Sequence, residues 1–293
     1  MMNQVWTARS ETAPLKAVLL HRPGPEVSQV ADPAAALYER AIDHARLAEE
    51  FSGIARMYEG LGVDVLWMDP LPEPGDDPRS LLNLMYTRDL FFMTPRGAVL
   101  SRMASEVRRG ETPYARAALA AAGVPIIHEI SGEGTLEGAD ALWVREDLVA
   151  VGVGKRTNAQ AFEQLQRILA PDGVRCVPLP PPARTQHLLG GVQLVGRNRV
   201  LLRAGIVERP VAEFLREQRL DVVEVPDNDE VRGRQAMNVV VTAPGELVMP
   251  AGCPLARGIY QRAGLKVAGE TGISELVNGG GGLACATGIL RRD

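Results

Sequence analysis

Internal repetition limits the fold of this chain more than any other feature. Apolar runs rich in Val, Leu and Ile come in pairs, at Leu90–Met93 with Ala98–Met103, Ala141–Val144 with Leu148–Val153, Gly191–Val195 with Val200–Ala204, and Val239–Thr242 with Glu246–Met249. Short segments such as Pro95-Arg96-Gly97 and Arg145-Glu146-Asp147 join the members of each pair, a composition that favours tight turns. After each pair the spacing predicts a helix, over Thr112–Ala122, Ala159–Ala170, Arg209–Gln218 and Pro254–Ala263, each opening near Pro, Thr or Asn. A closing strand follows each helix, at Val124–Ile130, Val174–Pro178, Asp221–Val225 and Leu265–Val267. The two chain ends supply a fifth unit from Lys16–Leu20, a long helix from about Pro33 to Leu61 and Val63–Met68, with Cys285–Leu290 completing its strand pair.

Units of strand, strand, helix, strand, roughly 40 to 60 residues each, cannot bury their apolar faces alone. They are expected to close around a common axis, helices outside and strand ends facing a central cleft, as an α/β propeller with five-fold pseudosymmetry. Residues 1–293 then form one domain. The Pro-rich stretches Pro70–Pro78 and Pro178–Pro182 read as connectors between units, because the repeat runs through both.

Composition narrows the function classes. With 46% hydrophobic and 23% charged residues and a net charge of −4, the chain reads as a soluble globular protein with no electrostatic invitation to nucleic acid. Its three cysteines, Cys176, Cys253 and Cys285, are widely spaced and lack CxxC or His-rich company, which argues against a disulfide framework and a zinc site. The opening MMNQVWTARS has no apolar core of a signal peptide, and no run of 18 apolar residues occurs. A cytoplasmic protein without membrane insertion is the expectation. Neither a G-x-S-x-G elbow nor a phosphate-binding G-x-x-x-x-G-K-[ST] loop is present.

The chemistry concentrates in a few residues. Asn278 precedes four glycines, Gly279 to Gly282, and Cys285 follows shortly after. Such a run lets backbone N–H groups approach a ligand closely, so the thiol beside it is a candidate nucleophile, although a lone cysteine more often ends in the core. A thiol attacks as thiolate and needs a base or a lowered pKa, and His187 is a candidate partner. Glu137-Gly138-Ala139-Asp140 and Arg88-Asp89 stand at strand entrances, where acids also serve as ordinary turn and cap residues. A five-fold ring would turn all of them toward the same cleft.

These residues carry a resemblance to the guanidino-group-modifying enzymes of the pentein fold, which include arginine deiminase, dimethylargininase and the amidinotransferases. Leu15-Lys16-Ala17-Val18-Leu19-Leu20-His21-Arg22-Pro23-Gly24 resembles the opening strand of that family, and Asn83-Leu84-Met85-Tyr86-Thr87-Arg88-Asp89 resembles the deiminase pattern N-x-x-F-T-R-D. Glu137-Gly138-Ala139-Asp140 is similar to EGGD, and Gly154-Lys155-Arg156-Thr157-Asn158 to the G-x-R-T element behind it. The resemblance spans essentially the whole chain and rests on the order and spacing of these fragments.

Position by position, the resemblance implies that Cys285 is the nucleophile, His187 the general acid and base, and Glu137 the group that orients His187 or pairs with a guanidinium nitrogen. Asp89 would grip the guanidinium, and Asp140, in the same acidic element as Glu137, is a further substrate-binding candidate. Arg109 and Arg156 would bind the substrate carboxylate beside Asn83, with Arg108 the alternative to Arg109. The implied reaction is hydrolysis of arginine or an N-substituted arginine through a covalent cysteine intermediate, without metal or organic cofactor. Amidinotransfer to an amine shares that intermediate, and a non-catalytic binding protein on the same fold is a further alternative. Deiminases and amidinotransferases have His-x-Asp where this chain has His187-Leu188-Leu189, a departure that favours an alkylated guanidine. The early helical insertion of bacterial deiminases is also missing, and the resemblance points to a homodimer.

Overall fold

The computed structural model describes residues 6–68 and 81–293, so the connector expected at Pro70–Pro78 lies outside the described residues. The first unit comprises β1 (Leu15–Leu20), α1 (His44–Gly60) and β2 (Asp64–Trp67). The second comprises β3 (Phe91–Thr94), β4 (Gly97–Leu100), α2 (Thr112–Ala121) and β5 (Ile126–Glu129). The third comprises β6 (Ala141–Arg145), β7 (Leu148–Gly152), α3 (Ala159–Leu169) and β8 (Arg175–Leu179). The fourth comprises β9 (Val192–Gly196), β10 (Arg199–Arg203), α4 (Arg209–Glu217) and β11 (Asp221–Val225), after which the short α5 (Asp229–Gly233) leads onward. The fifth comprises β12 (Val240–Ala243), β13 (Glu246–Pro250), α6 (Pro254–Arg262) and β14 (Lys266–Thr271), before α7 (Ser274–Asn278) and β15 (Gly288–Arg292).

Among the described residues five three-stranded sheets result, and all share one pattern. A first strand pairs antiparallel with the second, and the second pairs parallel with a third that lies beyond the helix. A tight turn cannot reach a parallel neighbour, so the helix serves as the crossover. In the remaining sheet β15 takes the first strand's place: Val18 faces Ile289 across the antiparallel pair and Val65 across the parallel one. The chain ends therefore share a sheet and close the ring, giving the expected five-bladed α/β propeller.

Both faces of the blades are covered, which explains why their strands read as unbroken apolar runs. One continuous cluster buries Val18 and Leu20, Phe91 and Leu100, Leu142 and Ala150, Val192 and Val200, and Val240 and Val248, so every sheet contributes. The opposite faces pack on helices, as where Trp143, Val149 and Val151 join Ala161 and Leu165 of α3.

Two boundaries differ from expectation. The helix from Pro33 is interrupted: Ala34–Ala36 forms one 3-10 turn, Leu37 adopts a left-handed φ of 66°, and Asp43 caps α1 by accepting from the N–H groups of Ala45 and Arg46. Likewise β15 begins only at Gly288, which leaves Cys285 in the preceding loop. Among the described residues no helix is long and apolar enough to cross a membrane.

Candidate active site

Equivalent positions on the five blades build the site. Asp89 ends a 3-10 turn (Thr87–Asp89) just ahead of β3, Glu137 precedes the turn Gly138–Asp140 ahead of β6, and His187 precedes the turn Leu188–Gly190 ahead of β9. Asn238 enters β12 and Cys285 enters β15 in the same way. Ring closure turns these entrances toward a cleft of about 890 Å³ whose wall includes Asp89, Arg108, His187, Leu189, Asn238 and Cys285.

His187 is buried, and its Nε2 lies 2.6 Å from Oε2 of Glu137, while Nδ1 lies 3.8 Å from Oδ1 of Asp89. Burial pulls the imidazole pKa down, but Asp89, Glu137 and Asp140 outweigh it and raise the value to about 9. Burial pushes Glu137 up, and the hydrogen bond and charge of His187, with Arg108 and Arg156, hold it below the usual carboxylate range. At neutral pH the pair is therefore imidazolium and carboxylate. Asp140 works from behind: its Oδ1 accepts from the N–H of Leu188 at 2.8 Å and so fixes the turn that carries His187.

Asp89 has one satisfied oxygen and one open one. Oδ2 accepts from Nη1 of Arg108 at 2.6 Å, whereas the buried Oδ1 has no hydrogen-bond partner among the described residues. A buried polar atom left so costs free energy, on the order of 1–3 kcal/mol. Its position on the cleft wall makes it a receptor for an N–H donor.

The glycine run lines the cleft with Gly279, Gly280 and Gly281, and it also does packing work that the sequence did not announce. Side chains at Gly279 and Gly281 would collide with Tyr86, and a Cβ on Gly282 would lie 2.7 Å from Cγ of Asn238. The run is thus a seam of close packing that seats the cysteine loop. Cys285 itself is partly buried, lines the cleft, and has its Sγ 3.2 Å from Nδ2 of Asn238. Burial and then the charge of Asp89 push its thiol up to about 11, against the lowering contributions of Asn238, Gly282 and Arg108.

The arginines assigned from sequence are placed differently. Arg109 is exposed, pairs with Glu106 and does not line the cleft, because the 3-10 turn Glu106–Arg108 sends consecutive side chains apart and turns Arg108 inward. Arg108 is buried against Glu111 (2.9 Å), Asp89 (2.6 Å) and Glu137 (3.5 Å), so its charge serves the protein's own acids. Arg156 also turns to Glu137, at 3.3 Å, and to Gln186. Asn83 lines the cleft with its Nδ2 donating to the carbonyl of Ala36. Asp89, Glu137 and His187 bring one donor atom each within 4.8 Å of one another, the spacing of a cation site, but the guanidinium of Arg108 already supplies a cation there. The sequence reading missed Asn238 and the group on the far wall, where Asp227 is shared by Arg184, Arg203 and Arg232. The signal for Asn238 was its place, directly before the first strand of the one blade with no assigned residue.

Comparison with known proteins points the same way. The family model for arginine deiminase matches residues 77–208. The chain is 26% identical to an N(G),N(G)-dimethylarginine dimethylaminohydrolase of Pseudomonas aeruginosa over 83% of this chain and 88% of that one. It is 24% identical to arginine deiminase 1 of Staphylococcus epidermidis over 78% of this chain but only 64% of the longer relative. Among solved structures, the Pseudomonas aeruginosa dimethylarginine dimethylaminohydrolase, as a mutant complexed with citrulline, superposes with a TM-score of 0.75 at 24% identity, covering 94% of this chain and 98% of that one. An amidinotransferase from Microseira wollei superposes with a TM-score of 0.76 at 16% identity, covering 99% and 98%.

Proposed function

We propose that this chain, which resembles the guanidino-group-modifying (pentein) enzymes in its motifs and is similar to arginine deiminases and dimethylarginine dimethylaminohydrolases, is a cysteine-dependent hydrolase of the guanidino group of arginine or an N-methylated arginine. The products are citrulline and either ammonia or an alkylamine, and residues 1–293 act as one catalytic domain. The open, buried Oδ1 of Asp89 beside His187 carries this reading, since a planar guanidinium offers the N–H donor that this oxygen lacks. The dimethylarginine named for one relative and the citrulline held by the similar structure support the substrate class.

The chemistry follows from the charges in place. In the free protein the thiol of Cys285 is held protonated partly by the negative Asp89. A bound guanidinium offsets that charge and thereby favours the thiolate at the moment of need. Sγ then bonds to the central guanidinium carbon while His187, already an imidazolium, protonates the departing nitrogen as the C–N bond breaks. Neutral His187 next takes a proton from water, whose oxygen attacks the same carbon, and the C–S bond breaks to leave the ureido product and the thiolate. Leu189, buried on the cleft wall next to the His187 turn, offers an apolar contact that suits an N-methyl group.

The test is product analysis with arginine, monomethylarginine and dimethylarginine. Citrulline is expected, with higher kcat/KM for a methylated substrate. Ornithine formed only when an amine acceptor is added, with no citrulline, would replace hydrolysis by amidinotransfer.

A further inference from the structure

Asn238 is 5% exposed and makes three hydrogen bonds to the cysteine loop. Its Oδ1 accepts from the backbone N–H of Ala284 at 2.6 Å and of Cys285 at 3.1 Å, and its Nδ2 stands 3.2 Å from Sγ of Cys285. Chemistry fixes the orientation of this amide. Two N–H groups face one end, so that end is the carbonyl oxygen, and the NH₂ end must face the sulfur. The side chain reaches this far only because Gly282 has no Cβ to block its Cγ.

A sulfur that receives an N–H bond is better accommodated as thiolate than as thiol, because the donor's partial positive charge is already aimed at it. Other charged and titratable groups near Cys285 are Asp89, which opposes the thiolate, Arg108, which favours it, and Tyr86 and His187 on the surrounding wall. Arg108 is already shared among three carboxylates, so its support for the sulfur is diluted. The Asn238 amide is neutral and committed to this loop alone.

We propose that Asn238 is the fifth blade's contribution to the reaction: its oxygen clamps the backbone of the nucleophile loop and its NH₂ group stabilises the Cys285 thiolate. The idea rests on Cys285 being the nucleophile. Asp89, Glu137, His187 and Cys285 then stand with Asn238 as one residue set from each strand entrance of the ring.

Asn238→Asp is the nearly isosteric test. A carboxylate keeps an acceptor for both N–H groups but sets a negative charge in place of the donor. Alkylation of Cys285 by iodoacetamide is followed against pH by peptide mass spectrometry, with Cys176 and Cys253 as internal controls and thermal melting as the check on folding. The expected result is a midpoint at least about one pH unit higher and alkylation roughly ten-fold slower at pH 8, with melting little changed. Asn238→Ala, which removes both halves of the clamp, is expected to shift the profile in the same direction and decides the matter if the aspartate variant is unstable. A wild-type alkylation profile in a folded variant would overturn the proposal. Because alkylation needs no substrate, a shifted profile in a protein that turns over no guanidine would reject the substrate reading and keep Asn238.

Discussion

Glu111 and Asp227 are both clamped by arginine, yet their carboxyls move in opposite directions. Glu111 is fully buried and accepts from Nε and Nη2 of Arg108, but burial outweighs that pairing and raises it to about 7. Asp227 is partly exposed; burial is the largest single effect there too and raises it, but the hydrogen bond and charge of Arg203, with the charges of Arg232 and Arg184, together outweigh it and hold the carboxyl below the usual range. At Glu111, behind the inner wall of the cleft, desolvation prevails over its arginine, and at Asp227, on the outer wall, three arginines together prevail over desolvation. Where water is excluded, every charge must be matched by a specific neighbour, so the inner group of Asp89, Arg108, Glu111, Glu137 and His187 behaves as one coupled unit. At the outer wall Arg203 is buried against Asp227, whereas Arg184 and Arg232 are exposed and are expected to be individually replaceable.

Substitutions test this division, and the largest effect is expected at the sulfur. Cys285→Ser should lower turnover on the order of 10⁴-fold or more while leaving the melting temperature near that of the wild type, measured by citrulline formation and calorimetry. Asp89→Asn removes the charge that meets the guanidinium and strips Arg108 of one partner. Removing one partner of a buried, hydrogen-bonded charge pair weakens binding by about 2–5 kcal/mol, so kcat/KM should fall on the order of 10²–10³-fold. A loss below ten-fold would mean that the inner wall is as well solvated as the outer one.

Glu137→Gln takes an anion from His187, whose pKa must then fall, and the alkaline limb of the rate profile that depends on imidazolium should move to lower pH by about one unit or more. Stability carries the same signature. His187 titrates near 9 folded and about 6.5 unfolded, so its contribution is complete below about pH 6.5 and disappears as pH rises through 9. The stability gap between wild type and Glu137→Gln, measured by urea unfolding, should therefore narrow over that window. At the outer wall Arg232→Ala should raise KM by no more than about five-fold, less in high salt, with kcat unchanged. Arg109→Ala, on the exposed surface, should leave both constants alone.

The repeat was legible because strands covered on both faces leave continuous apolar runs, and because hairpin turns and helix starts have their own residue preferences. Glu137 and Asp89 could be chosen because each stands at an entrance to such a run, Cys285 because a glycine run precedes it and His187 as its candidate partner; the family resemblance supplied their roles. What stayed hidden was orientation. Adjacent residues Arg108 and Arg109 are chemically identical in sequence, and only the 3-10 turn decides which one is buried. The glycines were read as exposing backbone to a ligand, and Gly279 to Gly281 do line the cleft; hidden from the sequence was that Tyr86 and Asn238, distant in the chain, also need their missing Cβ atoms. Asp227 and its three arginines gather from two strand ends and the segments beside them, and no local pattern announces that meeting. The break ahead of α1 was signalled by Asp43, a cap residue that the apolar periodicity through the segment obscured.

Rapid quenching of the protein during turnover of arginine or methylarginine, followed by intact-mass and peptide mass spectrometry, tests the central claim most directly. A transient adduct of the amidino portion of the substrate on Cys285, absent from Cys285→Ser, is the predicted result. Turnover that proceeds without any adduct, and persists when Cys285 is serine, would contradict the account.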